Sequence, residues 1–372
     1  MNHSHTLGIL TCQAKPPYME DHFFRKLSTL AAKENILVLV FSPKSLRLRE
    51  KRVRGYYWAE HSKSWNPIVA PPPELIYDRC FYLSSAHYRE YTPFIKRLQR
   101  LPNTRFLGYG LAGKWEVYQI LSRIPHIRPY LPDTRRVHHV NEVLEYLQKK
   151  RDIVIKPIGG STGKKVIRVQ QLHPGWYRLL GRDAKNRPFS AAMSDQQLYS
   201  WLRKQLLLSR WIAQPYLHLY TADQKPFDIR VLTQKNGHGE WEVVGKAIRQ
   251  GNHGGLTSNL HGGGKGFRFA PFIRHHFPDR EKVIHQQIDA LSQMIPPSLE
   301  SVHGPLLELG IDIGIDRKGD IWIIEVNSKP GRNLFAMTGE QNVQHQSVQN
   351  IIDYACYCLK AKRFEGGGKR KQ

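Results

Sequence analysis

Cysteine is scarce in this chain, and long apolar runs are absent. Its 372 residues include four cysteines, at positions 12, 80, 356 and 358. They lack the CxxC or ligand spacing of a zinc site and the density of a disulfide framework. No stretch approaches the about 18 apolar residues of a membrane-spanning helix, and the first residues do not resemble a secretory signal. We therefore expect a protein of a reducing compartment, the cytoplasm, that does not span a membrane.

Acidic residues are also few. The chain has 31 aspartates and glutamates against 56 lysines and arginines, which gives a formal net charge of +25. Such a charge attracts polyanions. Its clusters, at 42–55, at 149–152 and in the tail, are scattered, and no RRM, KH or zinc-finger motif accompanies them. The pattern favours solvated faces and acidic partners over a nucleic-acid reader. A polyanion-binding surface at 42–55 and the tail is an open alternative, which predicts binding that salt weakens steeply.

The hydrophobic pattern divides the chain into an N-terminal unit and a longer part that follows it. Over the first hundred residues, strands in HTLGILTC and ILVLVF flank a helix in DHFFRKLSTLAAKEN, and YYWAEHSKSWNPIV indicates a polar-tipped hairpin, as in a small α/β unit. The later part mixes strands such as DIVIK, FDIRVLTQ and WEVVGKAIRQ with amphipathic helices. We predict an N-terminal α/β domain over 1–104, a central part over 105–213, a C-terminal part over 214–363 and a disordered basic tail over 364–372.

The segment 310–332, GIDIGIDRKGDIWIIEVNSKPGR, carries polar side chains where a buried strand should be apolar. A two-residue turn at 318–319 would use the glycine for positive φ. In the resulting register, Asp312 lies directly opposite Glu325. The sequence thus predicts a hairpin with two facing carboxylates.

Two facing carboxylates repel each other, and burial costs each of them several kcal/mol, so a cation is needed. Alternation places Asn327 on the same strand face as Glu325, together with Ile321 and Ile323. Two carboxylates and an amide oxygen suit Mg²⁺ or Mn²⁺, with phosphates and water completing the shell. The alternatives are a solvent-facing strand end with a basic partner, or a slipped register.

The segment 155–165, IKPIGGSTGKK, is suited to cradling phosphates. Lys156 ends an apolar strand, and the loop after it supplies flexible glycines and hydroxyl donors. Those loop residues are Gly159, Gly160, Ser161, Thr162 and Gly163. Their spacing matches neither the Walker A motif nor GxGxxG. Taken alone, such a turn is more often a plain hairpin connection.

The order of these features resembles the ATP-grasp superfamily of carboxylate-amine ligases over residues 103–360. A helix-starting Lys114 is followed by the strand lysine with its glycine loop, QPYL, FDIRVL, an asparagine with a double glycine, and EVNSKPG. The ending IIEVNSKPGRNLF and the N-terminal unit resemble the YheC/YheD group of endospore-coat-associated ATP-grasp proteins. The resemblance implies a mixed α/β (α+β) ATP-grasp fold with an N-terminal pre-ATP-grasp domain.

The resemblance also implies roles for individual residues. Lys114 and Lys156 would bind nucleotide phosphates, and 159–163 would be the flap over them. The linker that reads adenine would be Gln214, Pro215, Tyr216 and Leu217. The metal ligands would be Asp312, Glu325 and Asn327. Arg230 and Arg249 would contact the transferring phosphate or a substrate carboxylate, and the substrate side would be lined by Asn259, Gly262, Gly263 and Arg332. For Arg230 the alternative is a structural ion pair with Asp228.

The implied activity is an ATP- and Mg²⁺-dependent ligase that activates a carboxylate as an acylphosphate and couples it to an amine. The substrates are unidentified, and the basic composition favours an acidic peptide or polymer. Spore coat proteins are expected partners, and the implied location is the mother-cell cytoplasm of a spore-former or the endospore coat. The alternative function is a non-catalytic coat component that binds ATP as a structural ligand.

Overall fold

The computed structural model describes residues 3–159, 164–258 and 263–367, which form three sheets. The N-terminal unit consists of β1 (His5–Leu10), α1 (Asp21–Lys33), β2 (Ile36–Arg47), β3 (Arg52–Ala59), β4 (Ser64–Ala70), β5 (Leu75–Asp78), α2 (Ser85–Gln99) and β6 (Arg105–Phe106). Its strand order is β4-β3-β2-β1-β5-β6. Strands β2, β1, β5 and β6 are parallel, and β3–β4 is an antiparallel hairpin. The predicted strands, helix and polar-tipped hairpin are confirmed.

Helices bury both faces of the parallel strands. Helix α2 packs on one face, where Ile95 and Leu98 join Leu39 of β2. Helix α1 packs on the other, and that core also contains buried residues of the last helix, α9 (Gln341–Gly367). They are Val348, Ile351, Ile352, Tyr354, Ala355, Cys358 and Leu359. Burial of each large aliphatic side chain stabilises the fold by about 1.5–3 kcal/mol. The stability of the N-terminal core therefore depends on α9.

This packing bears on the predicted boundaries. The predicted C-terminal part, 214–363, contains most of α9. The apolar side chains of α9, however, complete the N-terminal core. Helix α9 also runs to Gly367. Of the tail predicted to be disordered, 364–367 is therefore helical, and 368–372 lies outside the described residues. Among the described helices, none combines the length and apolarity that crossing a membrane requires.

The central part forms an antiparallel sheet of order β11-β10-β9-β8-β12-β7. Its elements are α3 (Lys114–Leu121), a 3₁₀ turn (Arg128–Tyr130), β7 (Arg135–Val137), α4 (Val140–Lys150), β8 (Asp152–Pro157), β9 (Ile167–His173), β10 (Trp176–Arg182), β11 (Pro188–Ser194), α5 (Asp195–Leu208) and β12 (Trp211–Pro215). Helices α4 and α5 cover the face bearing Ile153 and Ile155. Alternation places Lys156 of β8 on the opposite face of the sheet.

The C-terminal sheet is antiparallel, of order β15-β14-β13-β16-β17. Its elements are β13 (Phe227–Lys235), β14 (Trp241–Gln250), β15 (Lys265–Arg268), α6 (Phe269–His276), a 3₁₀ turn (Pro278–Arg280), α7 (Glu281–His303), β16 (Glu308–Ile315), β17 (Ile321–Asn327) and α8 (Asn333–Met337). The long helix α7 packs on one face through Ile288, Leu291 and Ile295. The other face carries the polar residues that drew attention in the sequence.

The β16–β17 hairpin confirms one prediction and corrects two. Asp312 pairs with Glu325, as predicted. The two-residue turn is wrong, because Asp316 pairs with Asp320 around a three-residue loop in which Gly319 has φ of +81°. A β-bulge next to Asp312 adds one residue on β17 and restores the register.

The bulge also reverses the predicted faces of β17. Ile321, Ile323 and Val326 lie in the apolar core, where a single uninterrupted strand would not place all three. Glu325 and Asn327 therefore leave the face of the two isoleucines and join Asp312 on the polar face. The predicted grouping of these four residues on one face is wrong.

Candidate active site

A network of two carboxylates and two guanidinium groups occupies the polar face of the C-terminal sheet. Arg230 Nε and Nη2 lie 2.6 and 3.2 Å from the two carboxylate oxygens of Asp312. Arg249 Nη2 lies 2.9 Å from Asp312 Oδ2, and its Nε lies 2.6 Å from Asp228 Oδ1. The Ser258 hydroxyl also donates to Asp228. The alternative pairing of Arg230 with Asp228 is wrong, because Arg249 takes that position.

Opposing effects set the protonation of these two carboxyl groups. Burial raises the pKa of Asp312, but Arg230 and Arg249 outweigh it and lower the pKa to about 2. Burial raises the pKa of Asp228 above its ordinary value despite Arg249, and the charge of Asp312 adds to the rise. At neutral pH, Asp312 is therefore an anion held by two cations.

Two lysines face this network from the central part. Lys114, at the start of α3, lies 3.1 Å from Glu325 Oε1 through its ammonium group. Lys156 is only 8 % exposed, and no carboxylate of the described residues forms an ion pair with it. Burial, assisted by Lys114, lowers the pKa of Lys156 to about 8, although Glu325 and Asp312 partly oppose the shift. A buried cation that lacks an ion-pair partner among the described residues is suited to an anionic ligand.

The residues predicted to bind a cation, Asp312, Glu325 and Asn327, lie on the neighbouring strands β16 and β17. Within the described ranges, no three histidine, cysteine, aspartate or glutamate side chains are placed to hold a metal ion. A divalent cation would therefore depend on the Asn327 amide, phosphates and water. Asp312 already makes three guanidinium contacts, which leaves about one of its four lone-pair directions. Glu325 is 24 % exposed and can turn towards a ligand. The residues fit Mg²⁺ supported by phosphate oxygens.

Glycines flanking Asp312 explain the GIDIG pattern of β16. A Cβ atom at Gly310 would lie 2.9 Å from Pro330 Cβ. At Gly314 it would lie 2.6 Å from Leu219 Cδ1. The two glycines thus let Pro330 and Leu219 lie directly on the strand beside the carboxylate.

The predicted adenine linker passes between the two sheets. The Gln214 amide donates to Thr134 Oγ1 at 2.7 Å. Pro215 ends β12, and the Tyr216 N–H donates to the Asp152 carbonyl at 3.0 Å. The Arg168 guanidinium lies 3.7 Å from the centre of the Tyr216 ring. The segment is therefore fixed at both its backbone and its side chains, and Leu217 continues it towards β13.

A cleft of about 340 Å³ adjoins this linker. Arg168 and Arg178 line it from the central sheet, Tyr216 from the linker, and Arg317 from the β16–β17 loop. Asp152 neutralises Arg168 through two contacts of 2.9 and 2.5 Å. Arg178 and Arg317 have no carboxylate partner among the described residues, so the cleft is cationic.

Several predicted residues cannot be placed. Those outside the described residues are Gly160, Ser161, Thr162, Gly163, Asn259 and Gly262. Gly159 is described, and a Cβ there would meet nothing within 4 Å, so packing does not require glycine. Gly263 has φ of +89°, a conformation that favours glycine.

Arg332, predicted on the substrate side, is directed into the interface with the N-terminal unit. Its Nη2 lies 2.5 Å from Glu308 Oε2, and its side chain is 9 % exposed. Glu308 also lies 3.0 Å from Arg79 Nη1 and accepts a hydrogen bond from the Tyr77 hydroxyl. The side chain of Gln234 completes the cluster at 3.0 Å. This geometry favours a structural role for Arg332.

Sequence reasoning missed Glu308 and Arg79 as members of one cluster. Glu308 is 1 % exposed and shares a strand face with Asp312 by alternation, which was the available signal. Arg79 is also 1 % exposed, but its sequence context, IYDRC, gives no indication of a partner 229 positions away.

Comparisons with known proteins agree with this architecture. The family model described as YheC/D-like ATP-grasp matches residues 103–358. Endospore coat-associated protein YheC of Bacillus subtilis (strain 168) is 32 % identical over 343 residues, which cover 91 % of this chain and 92 % of YheC. Endospore coat-associated protein YheD of the same organism is 25 % identical over 354 residues, 95 % of this chain and 77 % of YheD.

Solved structures share the fold at low sequence identity. D-cycloserine synthetase DcsG superposes with a TM-score of 0.56 at 13 % identity, covering 94 % of this chain and 99 % of DcsG. D-alanyl-alanine synthetase A from Vibrio cholerae O1 biovar eltor str. N16961 gives a TM-score of 0.54 at 11 % identity, covering 96 % and 98 %. The mixed α/β architecture is that of ATP-grasp ligases, and the chain belongs to the YheC/D-like ATP-grasp family.

Proposed function

We propose that this protein is an ATP- and Mg²⁺-dependent carboxylate-amine ligase that works through an acylphosphate. The observation that carries the proposal is that Lys114 and the buried Lys156, which has no ion-pair partner among the described residues, face the carboxylates of Asp312 and Glu325. Cations from one sheet and anions from the other suit a nucleotide triphosphate with its metal ion between them. A purely structural fold has no need of a buried lysine that lacks an ion-pair partner among the described residues.

Each residue has a part in the reaction. Lys114 and Lys156 hold ATP phosphates, and 159–163 covers them. Asp312, Glu325 and Asn327 would hold Mg²⁺, which when bound offsets charge on the phosphate oxygens. The substrate carboxylate attacks the γ-phosphorus, the bond to ADP breaks, and an amine then displaces inorganic phosphate from the acylphosphate. No covalent enzyme nucleophile is required.

Arg230 and Arg249 act from the network around Asp312. Each already contacts a carboxylate, so each is held in a fixed orientation before substrate arrives. A positioned guanidinium stabilises charge that develops on the transferring phosphoryl group without reorganising first. The adenine edge is read by the backbone of 214–217, and the loop containing Asn259, Gly262 and Gly263 borders the acceptor.

The substrate class we favour is acidic. The formal net charge is +25, and Arg178 and Arg317 in the cleft beside the linker have no carboxylate partner among the described residues. Both features would attract a glutamate-rich peptide or another anionic polymer. The KM for such a substrate should rise with ionic strength, and kinetics insensitive to salt would contradict an acidic substrate.

A role in the spore coat is supported by the relatives, which are named endospore coat-associated proteins. We propose that the protein acts in the mother cell and associates with coat proteins. The same names favour a second candidate, a coat component that binds ATP without turning it over. The two candidates differ in whether ADP is released.

The test is ADP release from purified protein with Mg-ATP and a pool of amino acids, dipeptides and acidic peptides. Glu325→Gln should abolish it. Glu281→Gln is a matched control, because Glu281 is 29 % exposed and pairs with Arg274, far from the polar sheet face. Turnover that needs an added carboxylate and is lost only in Glu325→Gln supports the ligase. If the protein binds ATP but releases no ADP with any of the added substrates, the result favours the structural component.

A further inference from the structure

Two of the four cysteines meet at the carboxyl ends of neighbouring parallel strands. Leu10 of β1 pairs with Asp78 of β5, and Cys12 and Cys80 each follow two residues later. The Arg79 N–H donates to the Leu10 carbonyl at 2.9 Å, so the two strands stay hydrogen-bonded up to the residue before Cys80. Neighbouring strands lie about 4.8 Å apart, which falls within the Cα separation of about 4.4–6.8 Å that disulfides require.

The two thiols are in contact and differ in environment. Cys12 packs against the buried cluster that contains Cys80; Cys12 is half-buried, and Cys80 is 1 % exposed. The neighbouring Cys80 thiol lowers the pKa of Cys12 against the effect of burial, and Lys329 lowers it further. The Cys12 thiol, with burial, raises the pKa of Cys80. Cys12 is thus the accessible nucleophile, and Cys80 is the buried partner behind it.

The pair lies against the segment that follows the metal-binding strand. Lys329 Nζ lies 2.8 Å from Asp78 Oδ2 and donates to the Cys80 carbonyl at 2.9 Å. Strand β1 lies between β2 and β5. Strands β2 to β4 are added on one side of β1, and β5 and β6 are added on its other side, so the strand order switches direction at β1. Such a point opens a crevice at the carboxyl ends of the strands. Cys12 is half-buried and Cys80 is buried, so a reagent reaches Cys12 before Cys80.

The other two cysteines provide an internal control. Cys356 and Cys358 are two residues apart on α9, a spacing that places side chains on different sides of a helix. Cys356 is half-buried, as Cys12 is, and burial raises its pKa. It is thus matched to Cys12 in exposure but has no adjacent thiol that could resolve an adduct.

We propose that Cys12 and Cys80 form a reversible intramolecular disulfide, which makes this crevice a thiol-oxidation site independent of the ligase activity. The Cys12 thiolate attacks a low-molecular-weight disulfide, forms a mixed disulfide and releases one thiolate. Cys80 then loses its proton and attacks the Cys12 sulfur, which releases the second thiolate. Two protein thiols are oxidised, and one small disulfide is reduced to two thiols.

The test treats the full-length protein with oxidised glutathione and reads intact mass and peptide maps without reduction. Wild type and Cys356→Ser should lose two thiols and yield a peptide linked through positions 12 and 80. Cys80→Ser should stop at one stable glutathione adduct on Cys12, and Cys12→Ser should form neither product. Dithiothreitol should reverse both products.

Other outcomes would overturn the proposal. These are a wild type that keeps all its thiols while folded, one that retains a glutathione adduct without a bridge, and one that reacts first at Cys356. If Cys80→Ser fails to fold, alkylation of the wild type before and after reduction identifies the bridged positions instead. Because the experiment measures mass, it shows whether Cys12 and Cys80 form a disulfide even if the protein turns over no ATP.

Discussion

Lys156 shows how a ligand site can cost stability. Its ammonium group is 8 % exposed, and its pKa of about 8 lies below the ordinary lysine value of 10.5. Between these two pH values the unfolded chain binds more protons than the folded one, so the free energy of unfolding rises with pH. Below the folded pKa the penalty for burying the charge is present in full, and a shift of this size corresponds to about 3 kcal/mol.

Lys156→Met should therefore stabilise the protein at pH 7 while removing ATP turnover. We expect the free energy of unfolding to rise by up to about 3 kcal/mol, because an apolar side chain replaces a buried charge. Denaturant unfolding and ADP release measure the two effects. Lys150→Met, at a lysine 31 % exposed, is the control and should change neither. A destabilised Lys156→Met protein would contradict this account.

The two facing carboxylates should respond differently to amide substitution. Asp312 is 9 % exposed and compensates two guanidinium groups, so Asp312→Asn should destabilise the fold by about 3–5 kcal/mol. Glu325 is 24 % exposed and pairs with one lysine, so Glu325→Gln should cost less than about 1 kcal/mol. Thermal unfolding of the two variants, side by side, measures the contrast. Equal losses would show that Asp312 is not the centre of the network.

Among the strands, β16 depends on close approach of its neighbours. Gly310→Ala would bring a Cβ to 2.9 Å from Pro330 Cβ, and a proline ring cannot rotate away. We expect a loss of about 1–3 kcal/mol in stability, together with reduced ADP release, because Pro330 lies just beyond Asn327. Gly331→Ala is the control in the same segment, since a Cβ there meets nothing within 4 Å. It should leave thermal unfolding unchanged.

The β16–β17 hairpin also shows what a sequence pattern can supply. Alternation and a glycine turn were enough to predict Asp312 opposite Glu325, because both are local rules. The three-residue loop and the bulge shift the register by one residue each in opposite senses. The bulge allows Ile321, Ile323 and Val326 to pack together in the core. This packing depends on other elements of the fold, so the sequence of the strand alone does not predict it.

Over the whole molecule, long-range packing is what the sequence concealed. The sequence predicted the ATP-grasp family, which the comparisons confirm. It did not predict that α9 completes the N-terminal core, that Cys12 adjoins Cys80, or that Glu308 meets Arg79. Each depends on segments far apart in the chain, and none has a local periodicity. The predicted roles of the ATP-binding and metal-binding residues stay predictions until ligands are tested.

Glu308 links the N-terminal unit to the C-terminal sheet. It is 1 % exposed and compensates two guanidinium groups, those of Arg79 on one side of the interface and Arg332 on the other. Glu308→Gln should cost about 3–5 kcal/mol, because Arg332 then remains buried without a carboxylate partner among the described residues, whereas Arg79 keeps its ion pair with Glu20. Hydrogen exchange should accelerate in β5 and β16 but not in β8, since β8 belongs to a separate core.

The matched control for Glu308→Gln is Glu74→Gln, because Glu74 is 34 % exposed and pairs with His5 within the N-terminal unit. It should lose less than about 1 kcal/mol and leave exchange in β16 unchanged. If Glu308→Gln were no more destabilised than this control, the buried cluster would not be what holds the two units together. The shared core of α9 would then carry most of that contact, and shortening α9 before Val348 should loosen the two units from each other.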